Sequence, residues 1–248
     1  MTTKPYLLLD AGGTLLFMDQ DYLSRLAGEH GFHVEAERFY EQHFRVVHWF
    51  DTYVGTRRQF LSGPFEPYSL VLLRLVGLSD EAAERVAQVA QARHEERNLW
   101  EFTFSWIEET LARLKNEGYR MSIISNADGR VEQELENLGI RSYFEKVYDS
   151  EIVGVRKPEP EIYELALEEL GLQPEEALFV GDMFYIDILG ANRVGIPGLH
   201  LDPLGLYQGW PGARIQDLRQ LPVWLQEYKA APERFEVLPL QDFVLSSE

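Results

Sequence analysis

The chain has 248 residues, 45% of them apolar and 12% aromatic, enough to bury a large core as one big domain or two smaller ones. A formal net charge of −18 argues against non-specific binding to nucleic acid and against docking on anionic membranes. With no cysteine there are neither disulfides nor thiolate metal sites, and with no apolar run of signal-peptide or membrane-spanning length the expected location is the cytoplasm.

The first element is Tyr6-Leu7-Leu8-Leu9, a continuous apolar run that reads as a strand buried on both faces. It runs into Asp10-Ala11-Gly12-Gly13-Thr14. At the carboxyl end of a parallel strand, Asp10 stands where open sheets place their ligand sites. The glycines permit a sharp turn and close approach of the backbone. Taken alone, such a stretch more often makes only a turn. Residues 17–100 then read as helices. Phe39, Phe44, Val47 and Phe50 fall near helical spacing, as do Leu70, Leu73, Leu75 and Val76, and 81–98 is rich in Ala and Glu. Gly63-Pro64 and Pro67 mark a break between the helical groups.

From there the pattern alternates. Helices are expected over 104–117, 128–138, 160–170 and 185–194, and strands over 120–125, 146–149, 177–181 and 197–201. Such alternation predicts an α/β fold, a Rossmann-like parallel sheet with helices on both faces. The core then takes residues 1–16 and 101–248, and 17–100 becomes a small all-helical domain inserted after the first strand, lying over the sheet. In the tail, Gly205, Gly209, Pro211 and Gly212 read as a loop, 215–228 as a helix and 235–240 as an edge strand.

Three further strand ends carry polar residues. Ser125-Asn126 closes the second strand, and a helix starting just after it would offer free backbone donors to an anion; a plain helix cap is the competing reading. Lys157, one of five lysines, lies in the loop Gly154-Val-Arg-Lys157-Pro-Glu-Pro160 that leads into a core helix, with Arg156 beside it as a competing cation. Asp182 follows the strand over 177–181, and Asp187 falls in the first turns of the next helix. Either acid also suits a helix start. With Asp10 they make three carboxylates at adjacent strand ends. Crowded carboxylates repel, so one gains a proton or a cation joins them. One lysine is too little compensation; a hard divalent cation with oxygen ligands suffices, and Mg²⁺ is the usual one where phosphate is handled.

In this order, Asp-x-x-x-Thr, a helical insert, Ser-Asn, Lys-Pro and Gly-Asp-x-x-x-x-Asp, the chain resembles the haloacid dehalogenase (HAD) superfamily, in the subgroup with an α-helical cap between the first two motifs. The resemblance covers about residues 5–201, the cap by position and helical character alone. It implies a Mg²⁺-dependent hydrolase acting on a small phosphorylated substrate. It makes Asp10 the nucleophile that forms an aspartyl-phosphate, Ser125 and Asn126 the phosphate contacts, and Lys157 the partner of Asp10 and the phosphate oxygens. Asp10, Asp182 and the backbone carbonyl of Gly12 would hold the metal, with Asp187 on metal-bound water or on Lys157. Phosphoryl transfer needs positioning and charge neutralisation more than covalent machinery, which agrees with these roles.

The departure is Gly12. Family phosphatases usually carry an Asp there, which protonates the leaving group and later activates water. A positioned acid or base is worth about 10²–10⁴ in rate, so activity on alkyl phosphates is expected to be weak, and acyl or aryl phosphates to suffer less. The alternatives are a substitute acid from the insert, such as His43 or His48, or loss of catalysis, leaving a module that binds phosphate or a protein partner. Dehalogenation does not fit, because the metal acid Asp182 is present and no aromatic stands at position 12. Schiff-base phosphonate cleavage does not fit either, because residues 16–100 hold no lysine. The insert carries five of the six histidines and nine arginines, Arg45 and Arg57 among them as candidate substrate contacts, although a solvated face accounts for most of these charges. Substrate identity and oligomeric state are not encoded in these patterns.

Overall fold

A computed structural model of the chain describes residues 4–57 and 68–230. The break expected around Gly63-Pro64 and Pro67, and the edge strand expected over 235–240, lie outside the described residues. Among these, six short strands build one parallel sheet: β1 (Tyr6–Leu9), β2 (Met121–Ser125), β3 (Val147–Asp149), β4 (Ala177–Gly181), β5 (Gly198–Leu201) and β6 (Ala213–Ile215). Their spatial order is β3-β2-β1-β4-β5-β6, with Leu9 level with Ile123 on one side and Val180 on the other. The connections run one way from β1 to β3 and the other way from β4 to β6. The loops leaving β1 and β4 therefore part at the switch point, where sheets of this kind form their crevice.

Helices cover both faces, which is why β1 and β4 read as unbroken apolar runs rather than alternating ones. Every residue of both strands is buried. Helix α5 (Ser105–Asn116) buries Ile107, Leu111 and Leu114, spaced i, i+4, i+7. On another apolar cluster, α8 (Pro160–Leu170) packs Ile162, Tyr163 and Ala166 with Leu8, Phe179 and Ala191, the last from α9 (Leu189–Arg193). Each such fully buried aliphatic or aromatic side chain contributes about 1.5–3 kcal/mol. The remaining helices of this unit are α6 (Val131–Asn137), α7 (Ser150–Val153) and α10 (Leu221–Ala230).

The described residues fall into two compact units, one holding the stretch up to Leu15 and that from Thr103 onward, the other Leu16–Phe102. The second unit is helical: α1 (Gln20–Glu29), α2 (Ala36–Arg57), α3 (Tyr68–Leu75) and α4 (Asp80–Glu96). Asp19 caps α1 by accepting from Tyr22 N–H at 2.9 Å, and Ser79 caps α4. Leu23, Leu26, Val46, Leu72, Leu73 and Val86 form its core. His43 is buried there, its Nδ1 2.5 Å from the Tyr68 hydroxyl and its ring against Phe44 and Trp100. Arg45 is exposed.

Three sequence expectations need correction. The helix expected directly after Ser125-Asn126, and again from residue 128, begins at Val131. The intervening loop is held by β3: Asp149 accepts from Gly129 and Val131 N–H, and Ser150 Oγ from Ala127 N–H, so these backbone donors are already engaged. The helix expected over 185–194 opens as a single π-helical turn over Phe184–Ile188 before α9. The stretch expected as loop running into a helix at 215 holds β6, which pairs Ala213 with Leu199 and Ile215 with Leu201. Three residues are too few to show a period, and α10 accordingly begins only at Leu221.

Candidate active site

Asp10 follows the last residue of β1 and extends the ladder by one bond, its N–H donating to Val180 O at 2.9 Å. Beyond it the chain turns, Leu15 N–H reaching back to Ala11 O at 2.8 Å. The left-handed backbone this turn requires falls on Gly13, with φ 80°, and not on Gly12.

Lys157 enters from the loop before α8. Asn126 fixes its main chain from both sides: Lys157 N–H donates to Asn126 Oδ1 at 2.7 Å, and Asn126 Nδ2 donates to Lys157 O at 2.8 Å. The ammonium is then buried, 2.5 Å from Asp10 Oδ1, 2.7 Å from Asp187 Oδ1 and 5.2 Å from the centre of the Phe179 ring. Arg156, the competing cation, is exposed. Asp182 follows β4, and the π-helical turn brings Asp187 back, so that its Oδ2 accepts from Met183 N–H at 2.9 Å. The fit is close: a Cβ on Gly181 would lie 2.4 Å from Asp187 Oδ2. Asp10, Asp182 and Asp187, at 6%, 2% and 1% exposure, each place a carboxylate oxygen within 4.8 Å of the others.

Four residues expected from sequence therefore meet at one point, Asp10, Lys157, Asp182 and Asp187. Ser125 is buried at the end of β2. Asn126 has both polar atoms of its amide on the Lys157 main chain. Gly12 brings only backbone. Two residues of this neighbourhood went unread in the sequence. Tyr163 donates from its buried hydroxyl to Ile186 O in the π-helical turn at 2.6 Å, and His200 contacts the main chain of Asp182. A tyrosine on an apolar helix face and a histidine in a strand carry no motif that sets them apart from core.

Comparison with known proteins decides the family. The family model described as haloacid dehalogenase-like hydrolase matches residues 68–200, more than half of the chain, a stretch that holds Ser125, Lys157, Asp182 and Asp187 but not Asp10. The mouse haloacid dehalogenase-like hydrolase domain-containing protein 3 is 32% identical over 186 residues, 71% of this chain and 72% of that one. The chain belongs to the haloacid dehalogenase-like hydrolases. A glyceraldehyde 3-phosphate phosphatase of Methanopyrus kandleri is 35% identical over 127 residues, so that the match spans about half of each protein, 51% of this chain and 54% of the other. The HAD phosphatase of Thermococcus onnurineus shares the fold, with a TM-score of 0.54 at 23% identity, covering 89% of this chain and 97% of that one.

In this haloacid dehalogenase-like hydrolase, three buried acids face one buried ammonium. Burial pushes the Asp10 carboxyl up; Lys157 pulls it down, Asp187 and Asp182 push it up again, and the outcome is about 8. Burial and then Asp187 hold Asp182 well above the usual carboxylate range. Burial works against the Lys157 ammonium, but Asp10 and Asp187 outweigh it and raise its pKa above the ordinary lysine value. Fully ionised, the three carboxylates would carry more negative charge than one lysine can balance, so without a cation the site takes up protons instead. Oxygen donors alone, converging within 4.8 Å, suit a hard dication such as Mg²⁺ and suit a soft metal poorly. The residues present fit the metal that the family implies.

Proposed function

We propose that the chain is a Mg²⁺-dependent phosphohydrolase of a small phosphorylated metabolite, working in the cytoplasm through an aspartyl-phosphate on Asp10. The observation that carries this reading is the buried contact of Lys157 Nζ with Asp10 Oδ1, 2.5 Å, beside two further carboxylates. Asp10, Asp182 and the Gly12 carbonyl would hold the cation, which when bound supplies positive charge to the transferring phosphoryl group. Asp10 attacks phosphorus: an Asp10 oxygen–phosphorus bond forms while the bond to the leaving oxygen breaks, and that oxygen departs with the electron pair. Lys157 neutralises Asp10 and the phosphoryl oxygens, and Asp187 orients Lys157. Ser125 contacts the phosphate, and Asn126 acts by setting the Lys157 backbone. Water then attacks phosphorus as the Asp10 oxygen–phosphorus bond breaks; Asp10 leaves as carboxylate and the released phosphate keeps the water's oxygen and protons.

No side chain at position 12 protonates the leaving oxygen, so acyl and aryl phosphates, whose leaving groups need no proton, are the better substrates. The phosphatase name of the Methanopyrus kandleri relative supports the reaction type, not a particular substrate. The helical unit takes the part of a cap that selects the substrate. The test is turnover of an aryl phosphate with and without Mg²⁺, in the wild type and in Asp10→Asn. Turnover that requires Mg²⁺ and vanishes in the variant is expected; turnover that survives Asp10→Asn overturns the assigned nucleophile. Tight binding of a phosphoryl transition-state mimic without turnover of acyl, aryl or alkyl phosphates would instead make the protein a binding module.

A further inference from the structure

His200 is the one histidine outside the helical insert, and no step above uses it. It lies on β5, where its backbone is level with Gly181 of β4. Its side chain is buried, and Nε2 lies 2.9 Å from the main-chain carbonyl of Asp182, one residue beyond that pairing. A carbonyl only accepts, so Nε2 carries the proton and donates. The same peptide group is held at its other end, where Met183 N–H donates to Asp187 Oδ2 at 2.9 Å. A peptide is a rigid plane, so bonds to its carbonyl and to its N–H together fix the direction in which the chain leaves β4. The imidazole is itself wedged in place, with the Tyr207 ring 4.3 Å away edge-on and Phe184 at 5.7 Å. Tyr207 is seated by the buried Asp202, which accepts from its N–H at 3.1 Å and from Leu206 N–H at 2.9 Å. Burying an imidazole costs free energy that a phenyl ring would not, and here the imidazole's hydrogen bond goes to the peptide joining a candidate metal ligand to the next residue.

We propose that His200 is a positioning residue for the cation site. Through the Asp182–Met183 peptide it holds the Asp182 carboxylate in place for the cation, with Asp187 fixed beside it on the Met183 N–H. It touches neither substrate nor cation. This rests on the Mg²⁺ reading of the site.

The test is Mg²⁺ binding to the full chain by titration calorimetry, with no substrate present, for His200→Phe, His200→Met and His200→Gln. Phenylalanine and methionine fill the space without a donor, while glutamine keeps an N–H of similar reach. Loss of the donor is expected to weaken Mg²⁺ binding by about 10–100-fold, as for other groups that orient metal ligands. The glutamine variant is expected to bind nearly as the wild type does. A role in packing alone would lower the metal-free unfolding midpoint and leave Mg²⁺ affinity where it was. Wild-type affinity in whichever of the phenylalanine and methionine variants folds overturns the proposal, as does a glutamine variant as weak as they are. A wild type that binds no Mg²⁺ overturns the metal reading and the clamp with it; a clamp that fails alone leaves wild-type binding intact.

Discussion

On the proposed mechanism, position 12 controls which leaving groups the site can release. The left-handed backbone of the turn is on Gly13, so an aspartate at position 12 meets no strain of that kind. Gly12→Asp is therefore expected to raise kcat for an alkyl phosphate by about 10²–10⁴ and to change aryl phosphate turnover much less. Steady-state rates on the two substrates check this, and an unchanged alkyl rate would mean that the missing acid is not what limits the reaction. Asn126 is the second residue whose part can be separated kinetically. With both ends of its amide on Lys157, Asn126→Ala should displace the ammonium and lower kcat, up to about 10²-fold for a shift of an ångström, with KM little changed. A raised KM at constant kcat would return Asn126 to direct phosphate binding.

The element that assembles the site is the π-helical turn after β4, which carries Asp187 back over Gly181. Single π-helical turns of this kind recur at functional sites. Gly181→Ala is expected to abolish turnover while the sheet stays folded, because the new Cβ occupies the place of the Asp187 carboxylate; circular dichroism and an aryl phosphate assay read the two effects separately. Tyr163→Phe takes a buried donor from Ile186 O and should destabilise the protein by about 1–3 kcal/mol in urea unfolding. The strands at 6–9 and 177–181 were legible because burial on both faces leaves an unbroken apolar run, and 121–125, interrupted by Ser122, was legible from its place in the alternation of strands and helices. Asp10 and Asp182 were legible because they stand at the ends of such runs, and Lys157 because it is the one lysine in the loop leading into a core helix. The π-helical turn was not, since Phe184 to Ile188 is buried throughout and shows no period that separates it from an α-helix. Nor were the bonds of Asn126, Tyr163 and His200, which join residues at least 18 positions apart to main-chain atoms that no side-chain pattern encodes.

At the scale of the whole molecule, the acids at the sheet's carboxyl edge tie stability to pH and, on the proposed reading of the site, to Mg²⁺. The Asp10 carboxyl, pushed up to about 8, and the raised Asp182 hold protons in the folded state that the unfolded chain has already released. The folded state then binds more protons than the unfolded one, so metal-free stability is present below the ordinary carboxylate range and is lost as pH rises toward 8. Mg²⁺ competes with those protons and stabilises whichever state binds it, so its effect should grow over the same interval. The most direct measurement is the thermal unfolding midpoint with and without Mg²⁺ at pH 5 and pH 8. The charge arrangement at Asp10, Lys157, Asp182 and Asp187 predicts a rise with Mg²⁺ that is larger at pH 8. No rise at either pH, or a larger rise at pH 5, would contradict it.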